Sequence, residues 1–156
     1  MKHFIYSPCL LLVFLLVGTI SMNVAFGNAE LDSNRDRWAT ANVLNYEYRY
    51  QKVCLCHRDM PSDTIVTVHE GNIIGVRYDR ENYLNEIPVA PEKYGWFRTV
   101  DDLFLLIARA LEHDATVRVS YEQALGYPTL IYIDYEQDMI GEEVELHVLE
   151  LYELVD

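Results

Sequence analysis

Cys54-Leu-Cys56-His57 is the stretch of this sequence best equipped for chemistry. Two thiols two residues apart, followed by an imidazole, offer soft ligands and a redox-active pair. On a regular strand Cys54 and Cys56 point the same way with Cα atoms about 6.6 Å apart. That is the upper edge of disulfide range, so a bridge requires the strand to bend there. A ring this tight is strained and easily reduced, which suits thiol exchange. Alternatively, the two thiolates and His57 offer three ligands to Cu(I) or zinc. A structural zinc site would need a fourth ligand, and no second cysteine pair supplies one. Three states stay open: a disulfide, buried free thiols, and metal or redox handling.

The acidic run Asp134-x-Glu136-x-Asp138-x-x-Gly141-Glu142-Glu143 is the second candidate. Asp134, Glu136, Asp138 and Glu142 imitate the alternation of a calcium loop, and carboxylate oxygens suit a hard cation. The glycine sits in the wrong place for an EF-hand and no helices flank the run, so a solvated hairpin tip competes with calcium binding. Elsewhere, His69, His113 and His147 share no ligand spacing, and Ser120 lacks a nucleophile elbow. There is no phosphate loop and no H-E-x-x-H pattern. The residues therefore nominate no catalytic group and no cofactor, and they lean away from an enzyme.

A third candidate is aromatic. Asp79–Arg98 reads as a long irregular segment with Pro88, Pro91 and Gly95, and it carries Tyr83, Tyr94, Trp96 and Phe97. Ordered loops of that length are often functional, which makes the four aromatics a candidate partner-binding surface. The competing reading is that they cover the core.

These residues must be held by elements that the hydropathy pattern outlines. Tyr46–Cys56 alternates like a strand, with Tyr46, Tyr48, Tyr50, Cys54 and Cys56 on one face, and Glu47, Arg49 and Gln51 on the other. Lys52 interrupts the inward face and reads as a sheet margin or a snorkelling chain. Before it, Arg35–Leu44 reads as a short helix docked through Trp38. After it, Thr64–Val68 and Ile73–Tyr78 read as a hairpin. Pairing Val68 with Ile74, Val66 with Val76 and Thr64 with Tyr78 leaves a three-residue loop, in which Gly71 or Asn72 supplies a positive φ. Thr99 caps an amphipathic helix with Asp102 three residues on, and Val100, Leu103, Phe104, Ile107 and Leu111 form its stripe. Three more strands are predicted: Thr116–Tyr121, one opened by Tyr127-Pro128 and running through Leu130–Asp134, and Glu143–Leu151. In the last, Leu149 and Leu151 switch parity relative to Val144, Leu146 and Val148, which predicts a bulge or an end covered on both faces. The order α-β-β-β-α-β-β-β with short links predicts an α+β domain with a single antiparallel sheet of about six strands and two helices on one face.

The N-terminus bears on compartment. Lys2 and His3 precede an apolar run, Cys9–Val17, and small residues follow up to Ala25-Phe26-Gly27. This is the pattern of a signal peptide, residues 1–27, cleaved before Asn28. Cleavage after Ala29 and retention as an anchor are the alternatives, though the run is short of the roughly 20 residues a span needs. Residues 28–156 then form one exported domain, periplasmic or extracellular, with no stable membrane insertion. An oxidising compartment favours pairing of Cys54 with Cys56.

The chain has 12 basic and 25 acidic residues, a formal net charge of −13. Loss of residues 1–27 removes only Lys2 from that balance. Such a charge opposes binding to nucleic acid or anionic lipid, where phosphate attraction is the generic term. It is compatible with solubility alone, with cation binding, or with a basic partner.

The residues now in view resemble a bacterial exported family catalogued only as domain-of-unknown-function family 6174. The resemblance rests on Trp38 ahead of Asn45-Tyr46-x-Tyr48, then Cys54-x-Cys56, Val68-x-x-Gly71, Thr99-Val-Asp-x-Leu-Phe104 and Val117-x-Val-x-Tyr121. It continues through Gly126-Tyr-Pro128, Ile133-Asp134 and the acidic pair Glu142-Glu143. Gly141 departs from the pattern, where an acid is expected. The resemblance implies export and a compact α+β domain, and implies no activity. Together these readings point to a domain that binds a protein or envelope component, with thiol or metal handling at Cys54 and Cys56 as the alternative.

Overall fold

The computed structural model describes residues 20–53, 63–79, 87–136, 139 and 141–155, with side chains from Asn28 onward. The chain runs α1 (Ile20–Ala41), β1 (Tyr46–Val53), β2 (Asp63–His69), β3 (Asn72–Tyr78), a 3-10 turn (Pro91–Trp96), α2 (Val100–Glu112), β4 (Thr116–Tyr121), β5 (Pro128–Asp134) and β6 (Val144–Glu153). All pairings are antiparallel, in the order β3-β2-β1-β6-β5-β4. Two three-strand meanders thus lie side by side, joined along β1 and β6. The predicted α+β architecture holds, with one six-stranded sheet and both helices over one face.

The alternation of β1 builds the core. Tyr46, Tyr48 and Tyr50 are buried, while Glu47, Arg49 and Gln51 are half-exposed on the opposite face. Val66, Val68 and Val76 extend the buried face through β2 and β3, and Ile131, Ile133, Leu146 and Val148 through β5 and β6. Trp38 of α1 meets Tyr46 and Tyr127 edge-on, with ring centroids 5.5 and 6.2 Å apart. Leu103, Phe104, Ile107 and Ala110 seat α2. The capping box at its start forms as predicted: Thr99 Oγ1 accepts from Asp102 N at 3.1 Å, and Asp102 Oδ2 accepts from Thr99 N at 3.2 Å.

Four local expectations are corrected. The first helix begins well before Arg35 and ends at Ala41, so residues 28–34 are helical and Asn42 to Leu44 are not. Its buried stripe is Leu31, Asn34 and Trp38. Asp32, Ser33 and Asn34 each have the residue type of a cap for a helix starting at Arg35, yet all three lie inside α1, where the Asn34 amide donates to Glu30 O at 2.9 Å. The helix stops where Asn42 takes a φ of 54°, a conformation asparagine tolerates past a helix end.

In the β2–β3 hairpin, Val66 pairs with Val76 and Thr64 with Tyr78, but Val68 pairs with Ile73. A bulge leaves Ile74 exposed and shortens the loop to Glu70-Gly71, both with positive φ (47° and 73°). That is the two-residue turn whose twist matches paired strands. Third, Asp79–Arg98 is not wholly irregular. Tyr78 N donates to Ile87 O and Val89 N to Val76 O, so Ile87–Val89 closes part of the β3 edge before the 3-10 turn. Fourth, Leu111 is only half-buried, and Ala110 takes the inward place at the end of the α2 stripe. The bulge expected in β6 is present. Tyr48 faces Leu151 and Tyr50 faces Val148, so Leu149 and Glu150 together oppose Arg49. Among the described residues, no helix is long and apolar enough to cross a membrane.

The helix-free face is held by ion pairs. Arg77 grips Glu47 through two bonds of 2.7 and 2.9 Å, and Thr67 Oγ1 donates to the same carboxylate at 2.7 Å. The Arg77 bonds hold the Glu47 pKa below the usual carboxylate range, against the opposing effect of burial. A depressed pKa contributes stability above the unfolded-state value, and that stability is lost as pH falls through the folded value. The unfolding-midpoint difference between wild type and Glu47→Gln is therefore expected to be largest near neutrality. It should vanish once Glu47 protonates in acid. A difference independent of pH would contradict this role.

Candidate functional site

The inward row of β1 does more than fill the core. Tyr46 Oη accepts from Val100 N at 2.9 Å, at the first turn of α2. The Tyr48 hydroxyl donates to Arg98 O, and Tyr50 packs its ring against Phe97 at 5.8 Å. Successive inward side chains of one strand thus fix the segment that leads into α2. Burial pushes all three phenols up, that of Tyr50 to about 12, so they remain protonated donors at physiological pH.

The next inward position after Tyr50 is Lys52. It does not sit on the core but on a cleft of about 120 Å³ at the end of the row. Tyr50, Lys52 and Arg98 supply the polar groups of this cleft, Trp96 and Tyr135 its aromatic walls, and Leu106, Ile133 and Leu146 an aliphatic lining. Arg98 is held in place: its Nη1 donates to Gly95 O at 2.9 Å and Phe97 O at 3.0 Å. Among the described residues, no hydrogen bond engages its other guanidinium donors. Burial, then the neighbouring Arg98 charge, pulls the Lys52 pKa below its ordinary value. Lys93 stands over the Trp96 ring at 5.2 Å and adds a third cation at the rim. Among the described residues, neither Lys52 nor Arg98 forms an ion pair, and the Tyr50 hydroxyl has no hydrogen-bond partner. Among the described residues, no carboxylate lines the cleft.

The opposite sheet face makes a useful contrast. Glu47, Arg49, Arg77 and Glu150 border a smaller depression there. Its charges are spent on one another: besides the Arg77–Glu47 pair, Arg49 meets Asp79 at 2.8 Å and Glu150 at 3.7 Å.

The candidate residues are dispersed. Cys54, Cys56, His57, Tyr83 and Asp138 lie outside the described residues. β1 is described to Val53, so the thiol pair follows directly on the strand that ends at the cleft. Of the aromatic candidates, Phe97 is core, Tyr94 is half-buried against it, and Trp96, at 38% exposure, opens onto the cleft. Asp134 is half-buried, Glu136 is exposed, and Glu142 is half-buried. Among the described residues no group of three or more histidine, cysteine or acidic side chains is placed to hold a metal ion. Sequence reasoning missed Tyr50, Lys52, Arg98 and Tyr135 as a group. The one available signal was Lys52, a lysine at inward parity after three tyrosines.

Comparison with curated proteins and with solved structures finds no match. A protein-family model matches residues 30–153, from α1 to the end of β6. That span holds the whole described sheet, Tyr46 and Tyr48, and each cleft residue named above, and the chain belongs to the family of unknown function DUF6174.

Proposed function

We propose that this protein is an exported binding domain without catalytic activity of its own. The cleft beside Trp96 is its recognition surface for a protein or envelope component. The observation that carries this reading is the convergence of Tyr50, Lys52 and Arg98 in an apolar-walled cleft, where among the described residues neither cation has an ion-pair partner. Convergent polar groups in a concave apolar site are the usual signature of recognition. An exposed tryptophan on the rim is the kind of anchor that dominates binding energy. Among the described residues, no carboxylate, histidine, cysteine or serine lines the cleft. The signal-peptide pattern of residues 1–27 supports export.

Affinity capture from an envelope extract tests the reading. The wild-type chain is expected to retain a specific partner that the Trp96→Ala chain, folded to the same stability, retains at least tenfold less. Equal recovery by both would refute the cleft as the recognition surface. Thiol or metal handling at Cys54 and Cys56 is the second reading, favoured by two thiols separated by one residue in a chain with an export pattern. Thiol counting with and without reductant, together with metal analysis, decides it: a permanently buried, metal-free disulfide would end that reading.

A further inference from the structure

We propose that the chemical group this cleft takes is a carboxylate attached to a short apolar or aromatic body. The inference rests on the cleft being the recognition surface, and goes beyond it in naming the ligand chemistry. Tyr50, Lys52 and Arg98 are all donors; arginine and lysine have no acceptor at all, and a protonated phenol readily donates. A site of donors with no facing carboxylate among the described residues is complementary to an oxyanion. Two further features choose among oxyanions.

The first is valence. The chain carries a net charge of −13, and its field repels a ligand in proportion to the ligand's charge. A monoanion meets the local cations at the least long-range cost, whereas a phosphate dianion or a polyanion meets more repulsion. The second is shape. The planar guanidinium of Arg98 presents parallel N–H donors that match the two oxygens of a carboxylate. Its Nη1 is anchored on Gly95 O and Phe97 O, so the fork is positioned before the ligand arrives.

The volume, about 120 Å³, is below the range of drug-sized pockets, roughly 300–1,000 Å³. It takes one ring or one branched aliphatic unit. The body then lies on Leu106, Ile133 and Leu146 and between Trp96 and Tyr135. Lys93 over the Trp96 ring adds positive potential beside the cleft. A small organic acid and the free C-terminus of a peptide ending in an apolar residue share this chemistry.

The chain contains two tryptophans; Trp38 is 3% exposed and Trp96 38%, so ligand-dependent emission changes report Trp96. The probes are 3-phenylpropionate, 3-phenylpropionamide, inorganic phosphate, and a tetrapeptide ending in Phe with a free or amidated C-terminus. Saturable change is expected with 3-phenylpropionate, and binding at least tenfold weaker with the amide, the size of effect a charge-assisted hydrogen bond carries. Lys52→Met keeps the apolar stem and is expected to weaken the acid at least tenfold while leaving the amide unchanged. Phosphate should compete poorly. Tighter binding of the free-carboxyl peptide than of 3-phenylpropionate assigns the group to a chain terminus, and the reverse order to a small acid. Equal binding of acid and amide, displacement by phosphate at lower concentration, or no response to any probe overturns the carboxylate assignment. Trp96-dependent capture from the envelope extract would persist in each of those cases if only the ligand class is wrong, and would fail if the cleft itself is not the recognition surface.

Discussion

Tyr48→Ala is expected to lower the unfolding free energy by about 4 kcal/mol, enough to unfold a protein of ordinary stability at moderate temperature. Tyr48 is wholly buried between Tyr46 and Tyr50, with ring centroids 6.0 and 6.1 Å away. It lies on β1, one of the two central strands of the sheet. Truncation would open a cavity where the two meanders join, and stiff strands on either side leave little scope for collapse. It would also leave Arg98 O without its donor. Tyr48→Phe separates the two effects. It keeps the ring and is expected to cost only about 1–2 kcal/mol, the price of one buried unmet acceptor. Because Arg98 is then less firmly placed, Tyr48→Phe should weaken cleft binding more than it weakens the fold. Urea unfolding of the three proteins, with a ligand titration on the Phe variant, checks both statements. A Phe variant as unstable as the Ala variant would show that the hydroxyl, not the ring, carries the position.

Gly126→Ala is the second severe change, with an expected loss of about 3 kcal/mol from a positive φ and steric overlap together. Gly126 has φ 82°, and a Cβ placed there would stand 2.6 Å from Asn34 O and 3.1 Å from Arg37 Cβ. Asn34 O belongs to the backbone of α1 and cannot swing aside. The turn between β4 and β5 is therefore pressed directly on the helix, and Arg37 Nη1 donates to Gln123 O at 3.0 Å beside it. An alanine would push α1 outward and loosen Trp38 from Tyr127. Gly71 is the control: its φ is 73°, but nothing lies within 4 Å of a Cβ there. Gly71→Ala is expected to cost about 1 kcal/mol, the conformational term alone. Equal losses at the two glycines, by thermal or urea unfolding, would contradict the close approach.

The contrast between these positions explains what was legible in the sequence. The sheet was, because period-two burial leaves a mark in every strand: Tyr46, Tyr48 and Tyr50 in β1, Ile131 and Ile133 in β5, Leu146 and Val148 in β6. The β6 bulge was also legible, since Leu149 and Leu151 break the period in plain view. The extent of α1 was not. Asn34 and its polar neighbours resemble a cap, and only the close packing of the β4–β5 turn shows why an asparagine is buried in that helix. The hairpin register slipped by one residue near its tip because Ile74 is apolar and exposed, and pattern alone assigns it inward.

The site was legible least. Cys54, Cys56 and His57 attract attention by chemical type, whereas the cleft depends on residues brought together from β1, the 3-10 turn, α2, β5 and β6. Lys52 and Arg98 are 46 positions apart in sequence, and no local pattern joins them. Lys52 alone carried a trace, since a lysine at inward parity needs a reason, and a cleft supplies it.

The most direct measurement is the response of the two indole N–H signals in a two-dimensional NMR titration with 3-phenylpropionate. The Trp96 signal should shift progressively and saturate, together with the backbone amides of Lys52 and Arg98, while the Trp38 signal stays in place. Shifts centred instead on Arg49, Arg77 and Tyr152, across the helix-free face of the sheet, would contradict the assignment of the cleft as the binding site.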